Sequence, residues 1–336
     1  MSRQYRIGVM SFSDGRRRVH EGLKAGILEQ EERIAQALAS LGAEPVRASD
    51  VSFTPRMAVS AAREMLAGDA AGVVFNIPVF AFPNLSLLAA DVLRKPLALL
   101  SPGDAGLPGM GGLLAAGGAA EQAGHHQVRI WGPVDRPEIR RELDVFVRAA
   151  GARHGLCGQV YGQFGGRSIG MVTGVSSSVI DWHRTFGVDM DHVDQHEIVR
   201  VAELIEDAER ERIVDWLEAH MGRIHYADGS KLTRATLKFQ AACAAAVKRI
   251  IAEREFDFVG IKCHYDMSEY VCTQCLSAAF LPSRIDWDGP REPIACACEA
   301  DSDGAMTMQI LQLLSDEPLQ RATRALDHVQ LRGAVD

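Results

Sequence analysis

Two carboxylates, Glu299 and Asp301, stand at the end of a run of small apolar residues in ACACEADSDGAMTMQIL (295–311). Acids just beyond a buried strand suit two kinds of chemistry. They can give oxygen ligands to a hard cation such as Mg²⁺ or Mn²⁺, or they can move a proton as general acid or base. The plainer reading is a helix cap. Asp301 or Asp303, at the start of an apolar helix over 304–314, would accept backbone N–H bonds and favour the helix dipole. Capping falls to Asp303 first, and Glu299 is the candidate for function.

Other residues invite chemistry with less specificity. Arg16, Arg17 and Arg18 follow Asp14-Gly15 and could hold a polyol or an anion near a helix N-terminus. A solvated first turn is the alternative. Basic residues there oppose the helix dipole, which favours a specific role for one of them. Cys263, Cys272, Cys275, Cys296 and Cys298, with His264, include a Cys-x-x-Cys pair in CTQC (272–275). That pair falls inside an expected helix and CAC inside an expected strand, so buried thiols acting as small hydrophobes are preferred over zinc. GMGG (109–112) lacks the pattern of a phosphate loop and reads as a turn before an Ala-rich helix. Phe80 and Phe82 belong to the core or line a pocket.

The elements that position these residues alternate. Strands are expected at 5–10, 45–48, 71–80, 96–100 and 127–131, and helices at 19–41, 55–67, after 112, and at 137–150. The glycines of YGQFGG (161–166) mark a natural boundary. A second set has strands at 168–174, 190–194, 256–263 and 293–298. Its helices are at 179–186, 197–221, 231–254, 268–279 and 304–314. Such alternation implies α/β architecture: two tandem parallel-sheet, Rossmann-like domains, 1–160 and 161–314, with a tail over 315–336. Glu299, the IKCHY segment (261–265) and SFSDGRRR (11–18) then all follow strands, at the sheet edge where open parallel sheets bind ligands.

Composition narrows the function classes. A chain of 336 residues, 47% hydrophobic and 24% charged, is an ordinary globular protein. Its net charge of −8 argues against a nucleic-acid partner. No apolar run is long enough to suggest a membrane span. MSRQYRIGVMSF has no signal-peptide pattern, and the odd number of cysteines reads as reduced cytoplasmic thiols.

Several segments together resemble one family, that of L-fucose isomerase and its L-fucose/L-arabinose isomerase-like members. They are SFSDGRRRVHEGL, VFNIPVFAF, GGRSIGMVTGVSSSVIDWHRTFGVDMDHVDQHEIVR, FVGIKCHYDMSEY and, above all, IDWDGPREPIACACEADSDGAMTMQIL. The resemblance implies interconversion of aldoses and ketoses with a divalent metal, usually Mn²⁺. It also implies a homo-oligomer (a hexamer in the family) and two α/β domains followed by a third, mostly β domain. The family's metal is held by a Glu, an Asp and a His, and Glu299 matches the Glu. Asp14, Gly15 and Arg16 match a segment near the sugar, and Phe80 an aromatic residue that meets it. Lys262 and His264 fall in a segment lining the site, where some members carry Gln.

After Leu314 the likeness stops. The family continues into segments bearing the second and third metal ligands, whereas SDEPLQRATRALDHVQLRGAVD, with Asp327 and His328, does not match them. The expectation is therefore a metal-dependent sugar isomerase lacking its third domain and weakly active or inactive alone. Glu299 would be its metal ligand and catalytic proton carrier, with Arg16, Phe80, Lys262 and His264 binding substrate. A non-catalytic sugar-binding or assembly subunit is the alternative, and a zinc- or thiol-based protein is a third reading.

Overall fold

A computed structural model of the chain describes residues 5–103, 108–172, 178–226 and 232–315. The chain divides into two compact units, Met1–His154 and Gly155–Asp336.

The first unit contains β1 (Arg6–Ser11), α1 (Arg17–Ser40), β2 (Glu44–Arg47), α2 (Pro55–Ala67), β3 (Gly72–Asn76), α3 (Pro83–Leu93) and β4 (Leu97–Ser101). It continues with α4 (Met110–Gln122), β5 (Gln127–Trp131) and most of α5 (Pro137–Leu156). The sheet order is β2-β1-β3-β4-β5, and all pairs are parallel. The central strands are apolar on both faces because both are covered. Met10, Val73, Phe75, Leu97 and Leu99 pack with α2, α3 and α4. Ile7, Val9, Val74, Ala98 and Leu100 pack with α1 and α5. Such two-sided burial produces the continuous hydrophobic runs that made these strands legible.

The second unit contains β6 (Val160–Phe164), α6 (Val179–Phe186), β7 (Asp189–Val193), α7 (Gln195–Glu203), α8 (Asp207–His220), α9 (Arg234–Arg254) and β8 (Phe258–Ile261). Then come α10 (Asp266–Tyr270), α11 (Cys275–Phe280), β9 (Ile285–Asp286), β10 (Gly289–Pro290), β11 (Cys296–Cys298) and α12 (Ser302–Leu314). Its main sheet has the order β11-β8-β6-β7, again all parallel. One face buries Phe164, Val259, Ile261 and Cys296 against α7, α8, α9 and α11. On the other, Tyr161 and Phe258 pack with Trp182 of α6. The architecture is α/β throughout, with two tandem parallel sheets.

Some elements differ from the sequence expectation. YGQFGG lies inside the second unit, and most of it is β6. The strand expected at 168–174 is a turn as far as residue 172, with 173 and 174 outside the described residues. Ile169 and Gly170 both have positive φ there, and Ile169 and Val172 are exposed, so the apolar alternation buries nothing. The Pro- and Phe-rich stretch after β3 contains a full helix, α3, with Pro83 in its first turn, where a missing N–H costs nothing. The helix expected over 197–221 breaks into α7 and α8. Arg210 satisfies the released carbonyls of Ala202, Glu203 and Ile205. The one expected over 268–279 is split between α10 and α11. The expected tail beyond residue 315 lies outside the described residues, as do Asp327 and His328.

Candidate functional site

In the second unit the C-terminal ends of all four sheet strands contribute to one cluster. Glu299 follows β11 directly. Its Oε2 accepts from the hydroxyl of Ser168, on the segment after β6. It also accepts from the backbone N–H of His264, after β8, at 3.2 Å. The thiols of Cys263 and Cys298 lie 3.6 and 3.8 Å from Oε1. Gln195, at the start of α7 after β7, donates to the carbonyl of Lys262 at 2.6 Å. Four strand ends are thus joined around one half-buried carboxylate, at the edge where parallel sheets present ligand sites.

The local backbone is unusual. Glu299 and Ala300 both adopt positive φ, +58° and +56°. For side-chain-bearing residues this costs roughly 1–2 kcal/mol each. Residues in this region cluster at functional sites when the surroundings over-determine them. What holds the turn is visible: Asp301 caps α12 by accepting from Gly304 N–H at 2.8 Å. Capping therefore falls to Asp301, and the expectation for Asp303 is corrected. Helix α12 starts at Ser302, which places Asp303 inside its first turn.

Beneath Glu299 the packing is tight. A Cβ on Gly260 would come within 2.1 Å of the Tyr161 hydroxyl and 3.0 Å of Ala300 Cα. That hydroxyl is fully buried and has no hydrogen-bond partner among the described residues. Its burial pushes the Tyr161 pKa well above the ordinary phenol value. Cys263 is likewise pushed up, first by its hydrogen bond with Cys298, then by burial and by the Glu299 charge.

The other expected site residues are placed as follows. Lys262 is mostly buried and its ammonium pairs with Asp266 at 2.7 Å, which holds the Asp266 carboxyl below its usual value. The ring of His264 is exposed and its Nδ1 lies 3.1 Å from Ser268 Oγ. It is the backbone of His264, not its ring, that touches Glu299. Arg16 and Phe80 belong to the first unit. Arg16 grips Asp14 with two guanidinium bonds, 2.9 and 2.7 Å, and a backbone N–H bond of 2.8 Å. Its charge at the α1 N-terminus is thereby balanced, and hydrogen bonding to Arg16 lowers the Asp14 pKa. Gly15 sits against the Phe82 ring, where an added Cβ would approach to 2.6 Å. Phe80 is half exposed, beside Gly111 of α4.

Ser168 and Gln195 were not singled out from the sequence. Each acts across long sequence separation, and no local spacing marks them. Among the described residues no group of three or more His, Cys, Asp or Glu is arranged to hold a metal. Cys272 and Cys275, expected in one helix, are divided between a loop and the start of α11. Among the described residues no helix is long and apolar enough to cross a membrane.

Residues 4–158 match the family described as L-fucose isomerase, first N-terminal domain. L-fucose isomerases of Citrobacter koseri and Salmonella typhimurium are each 24% identical to the chain over 352 aligned positions. That of Klebsiella pneumoniae is equally similar. The alignments cover 90% of this chain and 57% of each relative, so the chain spans a little over half the length of the relatives it matches. Residues 4–158 thus resemble a first N-terminal domain of L-fucose isomerase, and the chain is similar to L-fucose isomerases over nine-tenths of its length.

Proposed function

We propose that the chain carries two α/β domains of a sugar isomerase that interconverts an aldose and a ketose, with Glu299 as its proton-transferring carboxylate. The observation that carries this reading is the anchoring of Glu299. Ser168 and the His264 N–H hold Oε2, which leaves Oε1 as the less engaged oxygen. In the reaction the C2–H bond of an aldose breaks and its proton passes to Oε1. The resulting enediolate passes its O2 hydroxyl proton to O1, and the carboxylic acid returns its proton to C1, leaving the carbonyl at C2 and a hydroxyl at C1. Lys262 and His264 border this carboxylate as sugar contacts. Arg16 and Phe80 belong to this reading as further sugar-binding residues, by family resemblance, and so does a homo-oligomer as the functional protein.

A divalent metal, Mn²⁺ by family resemblance, belongs to this reading, and Glu299 is the residue that would offer it an oxygen. The described residues do not complete such a site. Asp301 is taken up by the helix cap and Asp266 by Lys262. The donors beside Oε1 are the thiols of Cys263 and Cys298, which suit soft cations better than hard ones. This single-carboxylate environment is also what favours the second reading, a sugar-binding subunit without turnover.

The test offers L-fucose, L-arabinose and related aldoses, with Mn²⁺ in D₂O, to the chain and to Glu299→Gln. Weak, metal-dependent deuterium uptake at C1 or C2, lost in the variant, is expected. Thermal stabilisation by a sugar with no exchange at either carbon would favour the binding subunit. Exchange that survives Glu299→Gln would remove Glu299 from the mechanism.

A further inference from the structure

Cys243 and Cys272 are 29 residues apart in sequence, and their sulfurs lie 3.6 Å apart. Both are free thiols. Cys243 is fully buried on α9, whereas Cys272 is partly exposed in the link between α10 and α11. The link is already tied to α9. Gln240, one turn before Cys243, donates to the carbonyl and the hydroxyl of Thr273 at 2.8 and 2.5 Å. Gln274 directs its amide N–H at Cys272 Sγ, 3.7 Å away, while Ser277 donates to its carbonyl oxygen at 3.2 Å.

We propose that Cys243 and Cys272 form a reversible disulfide site, oxidised by exchange with a low-molecular-weight disulfide. The geometry demands little: the sulfurs must close from 3.6 Å to about 2.05 Å, between segments already pinned by Gln240. The Cys272 S–H points at Cys243 Sγ, and that contact pushes the Cys272 pKa up and the Cys243 pKa down, so the exchange begins when this proton passes from Cys272 to Cys243. This leaves a thiolate on the accessible Cys272, facing the Gln274 amide. That thiolate attacks the external disulfide, forming a mixed disulfide and releasing one thiolate. Cys243, once deprotonated, attacks the Cys272 sulfur and releases the second. The pair loses two protons and two electrons, and the oxidant becomes two thiols.

Cys263 and Cys298 form the competing pair. Their sulfurs lie 3.6 and 3.8 Å from Oε1 of the Glu299 carboxylate, so a link between them would form at the candidate site itself. Closing the Cys243–Cys272 bond would fix residues 271–274 on α9. That loop terminates the segment bearing Lys262, His264 and Asp266.

The unaltered chain, incubated with glutathione disulfide and then alkylated under denaturing conditions, provides the test without any activity assay. The expected result is loss of two alkylatable thiols out of seven. The mapped peptide should join Cys243 to Cys272, and reduced glutathione should reverse the link. Cys272→Ser should keep Cys243 alkylatable, and Cys243→Ala should leave no intramolecular link to Cys272. Full alkylation of both residues after oxidation of the folded chain would overturn the proposal. So would a Cys263–Cys298 link formed in place of the Cys243–Cys272 one.

Discussion

The hydroxyl of Ser168 touches the carboxylate of Glu299 across 131 residues of chain, and it also lies 2.9 Å from the carbonyl of His264. One hydroxyl hydrogen can serve only one of these oxygens at a time. With a proton on Oε2 the serine can accept it in a hydrogen bond and donate to His264, and with the proton on Oε1 the carbonyl oxygen Oε2 still accepts from the serine. When Glu299 is a carboxylate, the serine donates to it. The pair therefore accommodates both protonation states that the role proposed for Glu299 requires, without leaving either oxygen pair in conflict.

Ser168→Ala should leave the His264 N–H as the one described backbone donor to Glu299. Losing a hydrogen bond to a charged group should destabilise the second unit by about 1.5–3 kcal/mol. Urea unfolding followed by the fluorescence of Trp182 and Trp216 would measure this. An unchanged midpoint would mean that water replaces the hydroxyl at no cost.

Gly260→Ala should be more damaging than its size suggests. The added methyl would meet the Tyr161 hydroxyl and the Ala300 backbone, and overpacking of this kind costs about 1–3 kcal/mol. Tyr161→Phe removes an unpartnered buried hydroxyl and should be near neutral or stabilising alone. In Gly260→Ala/Tyr161→Phe a large part of the loss should be recovered. Additive effects in the double-mutant cycle would show that Ala300, not Tyr161, makes the decisive clash.

Asp286 tests the role of the IDWDGPRE segment. It is fully buried and pairs with Lys248 at 2.6 Å and Arg291 at 3.2 Å. Its Oδ1 also accepts from Asp288 N–H at 2.8 Å. Trp287, between the two acids, lies under the Lys248 ammonium at 4.8 Å. Asp286→Ala should cost about 3–5 kcal/mol, because two cations lose a buried partner. Asp288 is half exposed and bridges Lys248 and Arg212. Its replacement by Asn should cost no more than about 1 kcal/mol. Thermal unfolding of the two variants distinguishes this clamp from a ligand-binding role, in which both would fold normally.

The Asp14–Arg16 pair predicts a pH dependence. Hydrogen bonding to Arg16 lowers the folded-state pKa of Asp14 below its ordinary value of 3.8. A depressed acid contributes stability that is complete above its unfolded pKa and lost as the pH falls through the folded one. The first unit should therefore lose stability below about pH 4. Arg16→Gln should be less stable at neutral pH and show a shallower acid slope. Denaturation midpoints between pH 3 and pH 6 check both parts, and parallel curves would deny the linkage.

The sequence by itself determined the elements whose signals are local. The strands RIGVMS, GVVFN, LALLS and FVGI are short and apolar because both sheet faces are covered. Helix α2 begins where Thr54 caps it and Pro55 opens it. Glu299 was legible because an acid directly after a buried strand must stand at a sheet edge. Tertiary structure decided what joins it. Ser168 and Gln195 reach the site from other strand ends, and nothing in a one-dimensional pattern marks a serine that will meet a carboxylate 131 residues away. It also decided the cap, since Asp301 rather than Asp303 meets Gly304 once positive φ at Glu299 and Ala300 sets where α12 starts. It turned Arg16 from a free cation into the partner of Asp14, and it brought Cys243 to Cys272. In each case the deciding interaction forms only when the sheet has placed its strand ends side by side, because the sheet's order is not the order of the chain.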